Sequence, residues 1–558
     1  MVRVSVLTVL AALALVSLPA CDTADASDCP TCDGFDPSTV DYDTVTDLDF
    51  ETQVRPLLVA RNVLSPTATT APGAPADYTL DALVMAGPSG FVVPFDAAGS
   101  LMVRFVTDLP DSSAIPFPNL RALEADELRF VSRWIEAGAR DGDRVPFADA
   151  TDLLFACVQG ENHVDVLDSE TMRIIRRVHF DDHGLASAPL GPHHVAFEPG
   201  GAAWYVSLIS TGAVAKLSTS LTMDPSDPAY LLGTARMTTP GMLIVDPTSD
   251  RLYAGRSTLS DRDTEGFAVI DRSDMTLDEV DTPFAVPHAL AVSPDGRFVL
   301  TASLTGNQVA VYDPTGELVD LEAVPGPPTQ LIHFSFIGVH HAARPAPAGE
   351  MDHSAHGAPA TGVDHAAMGH TTSGTDAARH DYEATLTAKD ANEVLIYGLT
   401  TGGQLELRHR VPAGTGPWHA HTGHDGTTII IPNRGNTAGG GNAVTLLDAS
   451  TRQIVRTVSA SAPAGPLAQP HSPAPDHDGE RFFVTSSNTL IEGAWVAPYR
   501  FLGPPAADGA RAPLPATSFS NVTAFAMDGT VLETVQLGAY ASGLEPFTVG
   551  VGGHESQH

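Results

Sequence analysis

From about residue 150 onward, short β-branched and apolar stretches recur along the chain, each closed by Pro, Gly, Asn or Asp. This pattern predicts strands joined by tight turns. The clearest unit is Pro287-His288-Ala289-Leu290-Ala291-Val292-Ser293-Pro294-Asp295-Gly296, followed by RFVLTAS, NQVAVYD and ELVDLEAV. It reads as four strands in sequence. Units in the same register begin at Pro192-His193-His194, Pro417-Trp418-His419 and Pro470-His471, with the turn pair eight and nine residues after each Pro. Looser copies begin at Pro240 and Pro328. A repeat of about 50 residues is the mark of an array whose units bury their faces on one another. Upstream the period changes: Leu120, Leu123, Leu128, Val131 and Ile135 fall at helical spacing, and Gly138 stops that helix.

The repeat resembles the YVTN-type β-propellers, a group with relatives among nitrous oxide reductases, amine dehydrogenase heavy chains and bacterial lactonases. The resemblance implies a seven-bladed β-propeller over 150–553. The ends of the region support closure. DLLFACVQGENHVDVLDSETMRIIRRV supplies second, third and fourth strands with no first, and LEPFTVGVGG supplies a first strand with nothing after it. Joined, they complete the seventh blade and remove two open sheet edges.

Residues 48–142 resemble a small α-helical cytochrome c-like domain. Phe50-Glu51-Thr52-Gln53-Val54-Arg55-Pro56-Leu57-Leu58 matches its opening, and Trp134-Ile135-Glu136-Ala137-Gly138-Ala139 its close. The haem-attachment motif of that family would follow Pro56 by six residues, where Asn62-Val63-Leu64-Ser65-Pro66 stands instead. Ile115 occupies the place of the distal Met before Pro116. Both thiols and both axial ligands are missing, so the domain is degenerate and haem is not expected. The fold class is therefore mainly β, a propeller preceded by this small helical domain.

The first residues, MVRVSVLTVLAALALVSLPAC, carry one cation, Arg3, and an apolar run to Leu18 that is too short to span a bilayer. Residues 1–21 read as a secretory signal, and its end resembles a bacterial lipobox with Cys21 as the lipidated residue. That resemblance implies a lipid-anchored protein of the bacterial cell envelope, periplasmic or surface-facing, with the membrane as one partner and an envelope protein as another. Residues 22–47 form an acidic tether, and Cys29-Pro30-Thr31-Cys32 within it reads as a local disulfide, since no second CxxC completes a zinc site. Cys157 reads as a small buried apolar residue. A net charge of −37 with two lysines, Lys216 and Lys389, leaves no basic stripe to displace phosphate counterions, which argues against nucleic acid as a partner.

Two histidine sets carry candidate chemistry. In a propeller the first strand of each blade lines the channel, so His193, His194, His288, His419, His421 and His471 cluster at one mouth. They can ligate a metal, as channel histidines do in nitrous oxide reductase, or pack loops. Alternation along a strand predicts that His193 and His194 do not both face the channel. The paired copper-binding cysteines of nitrous oxide reductase are absent. The second set lies in an insertion at 339–381, between a first and a second strand, on the face opposite the Pro-His mouth. It contains MDHSAHGAPATGVDHAAMGH, where Met351, His353, His356, His365, Met368 and His370 are candidate ligands. Imidazole with thioether and no thiolate suits copper; a solvated low-complexity loop is the alternative.

No GxSxG elbow, HExxH or phosphate-binding glycine loop occurs. The balance favours a binding or scaffold protein associated with copper over an enzyme. The alternative is a propeller enzyme or redox-partner subunit, nitrous oxide reductase-like or lactonase-like, with its site at the channel mouth. The degenerate motif yields a direct expectation: a pyridine haemochrome spectrum of the purified mature protein shows no covalent haem, and stoichiometric haem would overturn the alignment of residues 62–66.

Overall fold

A computed structural model describes residues 31–64, 75, 77–87, 90–108, 117–185, 191–257, 266–324, 334–341, 380–435, 441–459, 467–487 and 520–549. Cys21 and the ligand candidates Met351, His353, His356, His365, Met368 and His370 lie outside these residues, as does Ile115.

Twenty-eight strands, β1 to β28 in chain order, form seven four-stranded antiparallel sheets among the described residues. Each sheet is one blade of a ring, and in six of them the four strands follow one another in sequence. The seventh is made from both ends: β28 (Ala541–Thr548) pairs with β1 (Asp152–Val158), and β2 (His163–Asp168) and β3 (Arg173–His179) follow. The register runs from Asp152 opposite Thr548 to Val158 opposite Ala541. Closure occurs where the strand inventory predicts it. It has a simple cause: an unclosed ring would leave backbone donors and acceptors of β1 and β28 facing solvent.

The first strands, which face the axis, are β4 (Pro192–Phe197), β8 (Pro240–Val245), β12 (Pro287–Val292), β16 (Phe334–His341), β20 (His421–Thr422), β24 (Pro470–Pro475) and β28. Five blades repeat one pairing: Pro192 lies opposite Leu208, Pro240 opposite Arg256, Pro287 opposite Ser303, Pro417 opposite Asn433 and Pro470 opposite Ser486. The Pro is the first paired residue because it has no N–H to continue the ladder. Apolar side chains fill the layers between blades: Phe155, Phe197, Trp204 and Phe547 form one such cluster, with ring centroids 4.6–6.2 Å apart. Cys157 is buried there as a free thiol. The long insertion leaves β16 after His341 and returns in β17 (His380–Ala388), a first-to-second-strand connection as expected.

Before the ring, α1 (Arg55–Ala60), α2 (Leu80–Met85), α3 (Leu101–Thr107) and α4 (Ala125–Glu136) enclose a core of their own. The two sequence motifs meet in it: Phe50 packs on Trp134 at 5.5 Å, and Trp134 Nε1 donates to the Arg140 carbonyl at 3.0 Å. Gly138, at φ +100°, ends α4 where the Phe95 ring leaves no room for a Cβ. Cys32 is disulfide-bonded, to a partner outside the described residues. This helical unit sits against the closing blade. Val93 enters the apolar cluster of Leu154 and Ile174, and Arg177 of β3 bridges Asp96 and Asp165, 2.7 Å from each.

All three of these charged side chains are at most one-tenth exposed. Burial raises the carboxyls of Asp96 and Asp165, but the Arg177 guanidinium and the neighbouring His179 and His163 outweigh it and hold both below the usual carboxylate range. A carboxylate with a depressed folded pKa adds stability above its unfolded value, near 4, and loses it as pH falls through the folded value. Urea denaturation should therefore show stability falling below about pH 4. Arg177→Ala, which strands two buried carboxylates, should cost about 3–5 kcal/mol at pH 7. An unchanged urea midpoint in that variant would show that the bridge does not hold the two units together.

Candidate functional site

Each Pro-His strand start is irregular. The ladder register shifts between Pro192 and Val195, Pro240 and Leu243, Pro287 and Ala289, and Pro470 and Pro473. The residue before the Pro lies at positive φ in four blades: Thr239 at 44°, Val286 at 52°, Gln469 at 51° and Gly416 at 67°. For β-branched Val286 this is a strained conformation costing about 1–3 kcal/mol, of a kind that persists where surrounding structure over-determines it. The bulge turns the residue after the Pro towards the axis. Strict alternation, which predicts that His193 and His194 do not both face the channel, fails for that reason. His193 points to the centre, and His194 lines a cavity one step further along.

Four imidazoles thus converge from four blades. The ring centroids of His193 lie 5.5 Å from His288, 5.7 Å from His419 and 6.1 Å from His471, and His419 is 4.7 Å from His471. Three of them, His193, His288 and His419, bring one ring nitrogen each within 4.8 Å of the others and could hold a metal ion. Their hydrogen bonds show why these three group together. His288 Nδ1 lies 2.8 Å from the Arg256 carbonyl, so Nδ1 carries the hydrogen and the Nε2 lone pair is left without a partner. Such a carbonyl-bound imidazole is the usual support of a metal ligand. Neither ring nitrogen of His193 or of His419 has a partner. His471 differs, because its Nε2 accepts from Trp418 Nε1 at 3.2 Å. That hydrogen bond takes the lone pair a metal would need, so His471 packs against the triad.

Buried polar atoms normally find partners, yet among the described residues both nitrogens of His193 and of His419, Nε2 of His288 and Nδ1 of His471 have none. All four are kept neutral. Burial, joined by the neighbouring imidazoles, pushes His193, His419 and His471 well below the usual histidine range, with Arg434 adding to the effect at His193 and His471. Burial likewise pushes His288 down to about 4, against the opposing hydrogen bond to Arg256. Neutral imidazole is the ligating form. On the mouth side Trp418 covers the cluster, with Lys389 Nζ 4.7 Å and Arg434 Cζ 4.8 Å from its ring centre. Arg434 also donates to the Tyr540 hydroxyl.

On the other side lies a cavity of about 720 Å³, part of it open to solvent. Its walls are aliphatic, among them Leu243, Leu290, Val292 and Ile337, and its polar end is His194, His419, His421 and Glu545. Glu545 of β28 joins two of the predicted residues: Oε1 is 3.2 Å from His194 Nε2 and Oε2 is 3.6 Å from His421 Nε2. Burial raises this carboxyl, but the hydrogen bonds of His194 and His421 outweigh it and bring it below the usual glutamate range. All six predicted channel histidines are therefore at the site, divided into a triad, a packing partner and a carboxylate-linked pair. Sequence reasoning missed Glu545, although LEPFTV reads as a first strand and the glutamate is its second residue.

No protein-family profile matches this chain, and no curated protein does. Solved structures do. The dihydro-heme d1 dehydrogenase NirN in complex with DHE has 11% identity and a TM-score of 0.40, over 84% of this chain and 95% of that one. A Kuenenia stuttgartiensis hydrazine synthase has 16% identity and a TM-score of 0.40, over 60% and 89%. A streptogramin B lyase has 13% and 0.37, over 63% and 84%. At these identities the likeness is one of fold.

The buried neutral triad has a measurable consequence in metal-free protein. A histidine whose folded pKa is lowered from 6.5 to about 4 adds stability in full above pH 6.5 and loses it as pH falls towards 4. At about 1.4 kcal/mol per pKa unit, His288 alone makes that loss a few kcal/mol. Denaturant midpoints at pH 7.5, 6 and 5 should fall in that order, and less steeply in His288→Gln.

Proposed function

We propose that this protein is an exported, lipid-anchored β-propeller of the bacterial cell envelope that binds copper. One ion is held by His193, His288 and His419 in the channel, and more is captured by the His/Met-rich segment that leaves the ring between β16 and β17. The observation that carries this reading is the convergence of buried imidazole nitrogens without hydrogen-bond partners among the described residues. Imidazole suits zinc, copper, iron and nickel alike. Copper is preferred on two grounds. The triad has no carboxylate or thiolate to offset the ion's charge, and Arg434 lies nearby, so a monovalent ion is least costly. The donor set of Met351, His353, His356, His365, Met368 and His370 adds thioether to imidazole, which selects copper over harder ions. Cys21 and the preceding apolar run support export and anchoring, and the motifs at 50–58 and 134–139 support a haem-less cytochrome c-like unit as a docking module for an envelope partner.

A second reading, a propeller enzyme or redox-partner subunit, is favoured by one observation: the cavity abuts His419, so an ion on the triad would keep an open side. Elemental analysis separates the two copper sites. In a protein lacking residues 345–378, one equivalent of copper should remain. Since supporting partners alone change metal affinity 10–100-fold, replacing two ligands in His288→Ala with His419→Ala should lower copper affinity by more than about 100-fold in competition with a chromophoric chelator. Unchanged affinity would remove the triad from the reading. Copper binding undiminished by deletion of 345–378 in the substituted protein would make that segment a spacer.

A further inference from the structure

The channel cavity is built on one carboxylate set between two imidazoles. Among the described residues, no Lys or Arg lines it, and the sole acidic side chain at its surface is that of Glu545, which is 14% exposed. Each Glu545 oxygen faces one imidazole, at 3.2 Å and 3.6 Å, which leaves acceptor capacity on both oxygens towards the cavity. His194 is fixed in turn, since its Nδ1 lies 3.4 Å from the Leu243 amide and its Nε2 is thereby the donor to Glu545. Thr422 and Ser472 add hydroxyls to the lining, and the other walls are aliphatic, chiefly side chains of β8, β12 and β16.

We infer that this cavity binds a small aliphatic ammonium compound, its alkyl part on the walls of β8, β12 and β16 and its N–H groups on Glu545. An anionic ligand would meet the Glu545 charge in a low-dielectric setting with no Lys or Arg of the lining to balance it. An uncharged apolar ligand would bury the carboxylate without adding a partner, which costs free energy. An ammonium group supplies donors and the opposite charge together, and hydrogen bonds of that kind are the stronger class. The inference needs no metal in the histidine triad, so its test is run without one.

Isothermal titration of the full chain, stripped of metal with a chelator, uses hexylammonium, hexan-1-ol and hexanoate as probes of equal length. Hexylammonium should bind with one-to-one stoichiometry, hexan-1-ol more weakly and hexanoate not at all. Glu545→Gln should weaken hexylammonium at least tenfold. Because that change also disturbs His194 and His421, Met242→Trp serves as a second variant, enlarging a lining side chain away from Glu545, and should block the site. Absence of hexylammonium binding, equal binding of hexanoate, or unchanged affinity in Glu545→Gln would overturn the proposal. So would binding that appears only after copper is added, since the amine would then be acting as a metal ligand. Failure of the triad to retain copper leaves this result standing.

Discussion

Everything in the molecule depends on the pairing of β28 with β1. A ring of seven sheets is stable because each blade packs its apolar faces on its neighbours, and the seventh blade is completed only by hydrogen bonds between the two ends of the domain. The same pairing places Glu545, three residues after Ser542, between His194 of the neighbouring blade and His421 of a blade further round the ring. It also presents β3, whose Arg177 holds the helical unit through Asp96. Fold closure, site assembly and domain docking thus share one blade.

The site follows from a conflict at each strand start. Proline cannot donate to the ladder, so the ladder begins irregularly, and the residue before it is driven to positive φ in four blades. The bulge that results swings His193, His288 and His471 to the axis, where His419, two residues after Pro417, joins them. Four such imidazoles, buried and neutral, are a costly arrangement for a purely structural purpose: several nitrogens are desolvated and unpartnered, and the backbone that aims them is strained. His471 is the instructive exception, because its Nε2 accepts from Trp418, which occupies its lone pair and removes it from the ligand set.

Charge is distributed against the trend of the chain. A protein of net charge −37 collects Lys389 and Arg434 around Trp418 at the mouth end of the cluster, and a lone carboxylate on the cavity side. The two ends of the channel therefore differ in sign, and an approaching small molecule meets different fields from either side.

The sequence by itself determined the propeller, its seven blades, the blade shared between the termini and the position of the insertion. Those features are carried by period, turn residues and strand count, which are local and repeat. It also determined which histidines reach the channel mouth, because the Pro-His offset marks the start of each first strand. Only the tertiary structure decided that His193 and His194 both serve the channel, since a bulge overrides the two-residue alternation of an ideal strand. Only it separated ligand-competent His288 from His471, whose lone pair is occupied, two residues with the same local sequence context, because their partners Arg256 and Trp418 come from other blades. Glu545 was hidden for the same reason: a glutamate in a strand reads as solvent-facing until the ring closes around it.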